Sequence, residues 1–386
     1  MTATPPIALV HDYLTQRGGA ERVVLTLADA FPDATVHTSL YDPAGTFPEF
    51  ADHDVRTLPL DRLTLLRDHH RLALPLLAPA FSRLHVDAEV TICSSSGWAH
   101  GAHVSGAKVV YCHNPARWLY QTDQYLAGSS RLAAAGLALL APPLRRWDAR
   151  AAATADRYLV NSRAVRARVA DVYGIDADVV PPPVEIDVDA PRTAPDGVEP
   201  GFILCVSRLL PYKNVGAVVQ AFGLVPDQRL VVVGSGPLAD DLRAAAPPNV
   251  TVLGRVDDDR LRWLYGSCLG LVAASYEDFG LTPVEAAAFA RPTAALRWGG
   301  FLDTIVEGET GCFFDQAHVT LVDAMLACEA TKWNPDRIRA NAERFNESRF
   351  HDRIARVVAT AMEAKEHLRA GTPVAEVHRL ATSTAA

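Results

Sequence analysis

Short runs of apolar residues alternate along the chain with longer amphipathic stretches, and the two periods separate strands from helices. The first apolar run, Ile7 to His11, predicts a buried strand, followed by a polar loop ending in Gly18-Gly19 and a helix from about Glu21 to Ala30. Further strand-like runs stand at Val90 to Cys93, Lys108 to Cys112 and Tyr158 to Val160, with helical patterns between them. From Val180 to Pro200 the chain is rich in Pro and Asp, which break both helix and strand, so this stretch predicts a linker. A second series follows, with strands at Phe202 to Val206, Leu230 to Val233, Val250 to Leu253 and Gly270 to Ala273. Helices are expected at Val215 to Phe222, Asp259 to Tyr265 and Pro283 to Ala290, and an amphipathic one near Phe350 to His367.

Strands alternating with crossover helices predict parallel sheets. At 386 residues the chain exceeds one ordinary α/β core. The expected fold class is therefore α/β with two Rossmann-like parallel-sheet domains, residues 1–185 and 186–365, and a flexible tail at 371–386.

Hydrophobic residues make up 49%, enough for two cores, and the net charge of -8 argues against a nucleic-acid partner, which calls for a basic stripe. The six cysteines are widely spaced, without a C-x-x-C pair, and read as buried thiols of a cytoplasmic protein. Met1 to Val10 lacks the pattern of a secretory signal. The most lipid-like stretch, Leu132 to Leu144, is shorter than the roughly 20 residues of a spanning helix and contains Pro142 and Pro143.

Ligands of open α/β sheets bind outside the carboxyl ends of strands, so the loops after strands are where chemistry is expected. One such loop runs from Glu277 through Asp278, Phe279, Gly280 and Leu281 to Glu285, with two carboxylates eight positions apart around a helix start. Gly280 permits close backbone approach, and amides at a helix N-terminus favour an anion. Thr282-Pro283-Val284-Glu285 also has the form of a capping box, which would account for Glu285 alone. A second loop carries Arg208 and Lys213, the latter beside a helix start where a cation is misplaced unless an anion is bound. A third holds Gly18 and Gly19. A fourth sets His113 after a strand, with Asn114-Pro115 and then Trp118 and Tyr120 as a stacking wall for an acceptor. The histidines His69-His70, His100 and His103 show no metal spacing and read as packing or surface residues. Asp257-Asp258-Asp259 contains a D-x-D pattern, but at a helix start, where capping explains it.

These motifs, in this order, resemble the retaining glycosyltransferases of family GT4, which have the GT-B fold with an interdomain cleft. The resemblance covers roughly residues 7 to 365 and rests on Glu277 to Glu285, with Gly18-Gly19-Ala20-Glu21, His113-Asn114-Pro115, Asn161-Ser162, Arg208, Lys213-Asn214, Gly234 to Pro237 and Trp298-Gly299-Gly300. It implies that Arg208 and Lys213 neutralise the diphosphate of a nucleotide sugar, Glu285 binds the ribose and Glu277 faces the sugar. It further implies that the amides of Phe279, Gly280 and Leu281 hold sugar and phosphate, that Arg255 and Val256 read the base, and that Gly19 covers the diphosphate. His113 matches the histidine near the sugar, and a helix at about 350–370 crosses back to the first domain.

The activity so implied is metal-independent, front-face transfer without a cofactor, from a nucleotide sugar, with GDP-mannose the expected donor, to a carbohydrate or glycolipid acceptor. Alternatives are another GT-B activity, a sugar-nucleotide epimerase or a synthase with a soluble acceptor, or a non-catalytic sugar-nucleotide sensor. Arg62, Arg67, Arg71 and Arg83, interleaved with Leu and Pro, and Arg145-Arg146 suggest peripheral contact of the first domain with anionic lipid at the inner face of a membrane, or else a solvated basic face.

Overall fold

The computed structural model describes residues 7–69, 73–121, 131–184, 186–315, 321 and 331–370. Arg71, Cys328 and the tail at 371–386 lie outside them. The chain forms two compact units, Met1–Pro182 with Ser348–Ala386, and Pro183–Glu347.

The first unit contains β1 (Ile7–His11), β2 (Thr35–Thr38), β3 (Val55–Thr57), β4 (His85–Val86), β5 (Val90–Ser95), β6 (His103–Val104), β7 (Ala107–Cys112), β8 (Arg157–Val160) and β9 (Asp178–Val179). Seven of these make a parallel sheet in the order β3-β2-β1-β5-β7-β8-β9, and β4 pairs with β6 alone. Strands β1, β5 and β7 are buried at every residue, as expected of a parallel sheet covered on both faces. On one face Leu9, Val23, Leu27 and Val109 pack with Phe350, Ile354 and Val358 of the helix Glu347–Arg369. On the other, Val10, Cys93 and Val110 pack with Phe81, Trp98 and Trp118. The helix Arg131–Ala152 runs through Pro142 and Pro143 without a break. No helix among the described residues is long and apolar enough to cross a membrane.

The second unit contains β10 (Ile203–Val206), β11 (Leu230–Val233), β12 (Val250–Gly254), β13 (Gly270–Ala273), β14 (Thr293–Leu296) and β15 (Gly311–Phe314), all parallel in the order β12-β11-β10-β13-β14-β15. This is the doubly wound dinucleotide-binding order, in which the chain works outward from a central strand, returns, and continues on the other side. Phe222, Leu230, Val232 and Val272 fill one side of the sheet, and Phe202, Leu204, Tyr265 and Leu271 the other.

Cys93, Cys112, Cys205 and Cys268 are buried free thiols, and burial pushes those of Cys93, Cys205 and Cys268 up to about 12. The thiol expectation fails at Cys312, which is disulfide-bonded. It sits half-buried on β15, an edge strand.

Candidate active site

The order of the second sheet reverses between β10 and β13, and the loops leaving these strands bring together the charged residues picked out from the sequence. Lys213 ends a single 3-10 turn, Pro211–Lys213, and is 8% exposed. Its ammonium contacts Oε1 of Glu277, and the Ser275 hydroxyl donates to the same oxygen at 2.9 Å. A buried cation requires a counter-charge because desolvation alone costs several kcal/mol, and Glu277 supplies it. Asn214, in the left-handed region at φ 55, donates its side-chain amide to the Ala274 carbonyl at 2.9 Å and so ties the two loops together.

Arg208 is exposed and donates to the Tyr212 hydroxyl at 3.0 Å, which leaves its charge accessible to an anion. Glu285 accepts from the hydroxyl of buried Tyr265. The capping-box alternative fails, because the helix Leu281–Ala288 begins two residues earlier than Pro283, with Gly280 as its N-cap and no side-chain cap. Uncapped amides at its start leave partial positive charge for an anion. Gly280 is also required on steric grounds. At φ 89, a Cβ there would fall 2.6 Å from Cδ1 of Phe301, so it makes room for that ring. Phe279 is buried and packs edge-on against Phe345 at 5.5 Å. Arg255, exposed, and Val256, half-buried, follow directly on β12. In the D-x-D run Asp257 caps its helix through the Arg260 amide at 2.9 Å, and Asp257 and Asp259 pair with Arg260 and Arg262.

Two glycine motifs acquire roles as braces. A Cβ on Gly300 would lie 2.2 Å from the Phe279 Cα, and the Gly300 amide donates to the Glu277 carbonyl at 2.9 Å, so Trp298-Gly299-Gly300 lies directly against the Glu277 loop. A Cβ on Gly234 would lie 1.8 Å from the Ser207 carbonyl oxygen, and Leu209 donates to the Ser235 carbonyl at 2.9 Å, so Gly234 to Pro237 supports the Arg208 loop.

In the first unit His113 follows β7, half-buried, with its amide on the Ser95 carbonyl at 2.9 Å and its carbonyl held by Asn161 at 2.9 Å. Its Nε2 is 2.8 Å from the Ser94 hydroxyl, which is in turn 3.1 Å from Nδ1 of His11. Burial lowers the His11 imidazole to about 4, so it is neutral. Asp12, raised to about 6 by burial, accepts from the amides of Ser96, Trp98 and Ala99 at 2.7, 3.2 and 2.6 Å and so holds the turn after β5. Sequence reasoning missed His11, Asp12 and Ser94, although all three lie at or just after carboxyl ends of strands.

Gly18 is the N-cap of the helix Gly19–Ala30, and Gly19 is exposed. The buried Glu21 carboxylate, 2.5 Å from where a Gly18 Cβ would stand, accepts from Gln16 at 2.9 Å. The expected aromatic wall is built differently. Trp118 is buried and stacks on Trp98 with centroids 4.5 Å apart, while half-buried Tyr120 donates to Asp148 at 2.9 Å. Asp148 also accepts from Tyr173 at 2.7 Å and meets buried His100 at 2.9 Å, which makes His100 a packing residue.

Two parallel α/β units, the second with cation and carboxylate gathered at its switch point, are the GT-B architecture. Residues 17–188 match Glycosyltransferase Family 4 and residues 200–329 match Glycosyl transferases group 1, and the chain belongs to this glycosyltransferase family. A D-inositol 3-phosphate glycosyltransferase of Acidothermus cellulolyticus is 30% identical over 205 residues, 44% of each chain. A GDP-mannose-dependent alpha-(1-6)-phosphatidylinositol monomannoside mannosyltransferase of Mycolicibacterium smegmatis is 29% identical over 245 residues, 49% of this chain and 63% of that one. The chain thus spans about half the length of the curated relatives it matches. Among solved structures, Anabaena HepE in complex with UDP-glucose superposes with a TM-score of 0.66 at 18% identity, over 92% of this chain and 99% of that one.

Proposed function

We propose that this protein is a retaining glycosyltransferase that takes a sugar from a nucleotide diphosphate sugar, with GDP-mannose the preferred donor, and passes it to a carbohydrate or glycolipid acceptor. The observation that carries this reading is the meeting of Lys213 and Glu277 at the switch point, with Arg208 exposed beside them. Breaking the bond between the anomeric carbon and the diphosphate leaves positive charge on the ring and negative charge on the departing oxygen. Preorganised cations stabilise that oxygen, and such electrostatic terms are usually the largest in catalysis. Arg208 and Lys213 serve the diphosphate, Glu277 the sugar and Glu285 the ribose. The family resemblance also gives His113 a part in sugar transfer. Retention then follows a front-face course in which the leaving phosphate accepts the acceptor proton, without a metal or cofactor. The GDP-mannose dependence of the mycobacterial relative supports the choice of donor.

The test is a panel of nucleotide sugars scored by thermal stabilisation and by transfer of labelled sugar. A donor at 100 times its Kd adds about 2.7 kcal/mol. If no nucleotide sugar stabilises the chain, the reading is wrong; if UDP-glucose does so and GDP-mannose does not, the donor assignment alone falls.

A peripheral membrane position at the inner face is part of the proposal. Leu63, Leu65, Leu76, Leu139 and Leu140 are exposed in the first unit, near basic residues Arg62, Arg67, Arg145 and Arg146 in the chain, and this combination suits an anionic lipid surface.

A further inference from the structure

Ser94 stands between two imidazoles at the carboxyl ends of three adjacent strands, β1, β5 and β7. Nδ1 of His11 is 3.1 Å from both the carbonyl oxygen and the hydroxyl oxygen of Ser94. The same hydroxyl is 2.8 Å from Nε2 of His113. His11 and Ser94 are each 2% exposed, so neither turns to solvent for a partner.

What each atom is able to do fixes the protons on this chain. A carbonyl oxygen only accepts, so Nδ1 of His11 carries a hydrogen and donates it. The ring is neutral, so that hydrogen is its only one. Being a donor, Nδ1 cannot accept from the Ser94 hydroxyl. A buried hydroxyl left without an acceptor costs about 1–3 kcal/mol, and Nε2 of His113 is the acceptor in reach. Ser94 therefore donates to Nε2 of His113, and the hydrogen of a neutral His113 ring must sit on Nδ1.

We propose that Ser94 is a positioning residue that holds His113 in its Nδ1–H tautomer, so that the ring serves sugar transfer as a neutral hydrogen-bond donor and not as a base. The second half of this inference rests on the transferase reading above; the tautomer does not. The main chain of His113 is already held by Ser95 and Asn161, so the hydroxyl of Ser94 acts on the ring alone. The edge of the Tyr111 ring, with centroids 5.2 Å apart, limits the ring's other orientations.

The experiment is long-range proton–nitrogen correlation NMR on the full chain labelled with nitrogen-15 histidine, with the His113 signals assigned by their loss in His113→Gln. The expected wild-type pattern is a protonated Nδ1 and a bare Nε2; a protonated Nε2 overturns the inference without any variant. In Ser94→Ala the ring is expected to shift toward the Nε2–H form, with kcat about tenfold lower and the donor KM changed less. A ring that stays Nδ1–H in Ser94→Ala removes Ser94 from the role. If alanine unfolds the chain, Ser94→Cys, a near-isosteric and weaker donor, decides in its place by the same shift or its absence. Ser94→Thr, which keeps the hydroxyl, is expected to retain the wild-type tautomer. Because the spectrum requires no turnover, a chain that transfers no sugar yet shows the expected ring defeats the transferase reading and leaves the tautomer standing.

Discussion

The ammonium of Lys213 and the carboxylate of Glu277, 64 residues apart in the chain, meet where the carboxyl ends of β10 and β13 diverge. Ser275 donates to the same carboxylate oxygen, so both described partners act on Oε1. A diphosphate that takes Lys213 must share it with Glu277 or displace it.

Glu277→Gln removes that competition. The variant is expected to bind nucleoside diphosphate at least as tightly as the wild type by calorimetry, while transfer of the sugar falls by about 10²- to 10³-fold. Weaker diphosphate binding would mean that Glu277 supports Lys213 and does not compete for it.

Arg208 is exposed and makes a single described hydrogen bond, to Tyr212, so the fold gains little from it. Arg208→Ala is expected to change unfolding free energy by no more than about 0.5 kcal/mol in urea titration, yet to lower turnover by about 10²- to 10³-fold.

Gly300→Ala forces a methyl group into the backbone of Phe279. The expected cost is about 1–3 kcal/mol of stability, with loss of nucleotide-sugar stabilisation in a thermal melt as the Glu277 loop moves. Gly136→Ala, whose Cβ meets nothing within 4 Å, serves as the control.

His11 and Asp12 are neighbours with opposite shifts. His11 falls from 6.5 to about 4 in the folded state, so the unfolded chain binds its proton first and stability rises with pH across that window. Asp12 rises from 3.8 to about 6, so the folded state holds its proton longer and stability falls as pH climbs through that range. The two nearly cancel. Asp12→Asn removes one side of the balance, and the stability difference, variant minus wild type, is expected to climb by roughly 3 kcal/mol from pH 4 to 6, as urea titrations across that range would show.

Vesicle flotation tests the exposed leucines. The wild type is expected to float with anionic but not with neutral vesicles, and Leu63→Ser with Leu65→Ser to reduce the floated fraction without changing donor binding.

Much of this was legible in the sequence because parallel strands buried on both faces read as plain apolar runs, as β1, β7 and β11 do. Strand β2, Thr-Val-His-Thr, and strand β15, Gly-Cys-Phe-Phe, are too short and mixed to stand out, and only their neighbours in the sheet make them strands. The loop carboxylates and cations of the second unit were found because a strand followed by a helix start fixes where a ligand belongs. The braces Gly234 and Gly300 were visible as motifs, but their purpose lies in what they press against, which no local pattern contains. Trp118 misled for the same reason: an aromatic after a loop looks available until Trp98, from another strand's end, is seen stacked upon it. His11 and Ser94 look like ordinary strand residues and become chemistry only through the register that sets them side by side.

The helix Glu347–Arg369 places Phe350, Ile354 and Val358 in the interior of a unit whose strands all precede position 183. During synthesis that interior therefore waits, its apolar seat vacant, until all of the later unit has emerged from the ribosome. A chain halted before residue 347 would expose the seat, making it a natural substrate for chaperones.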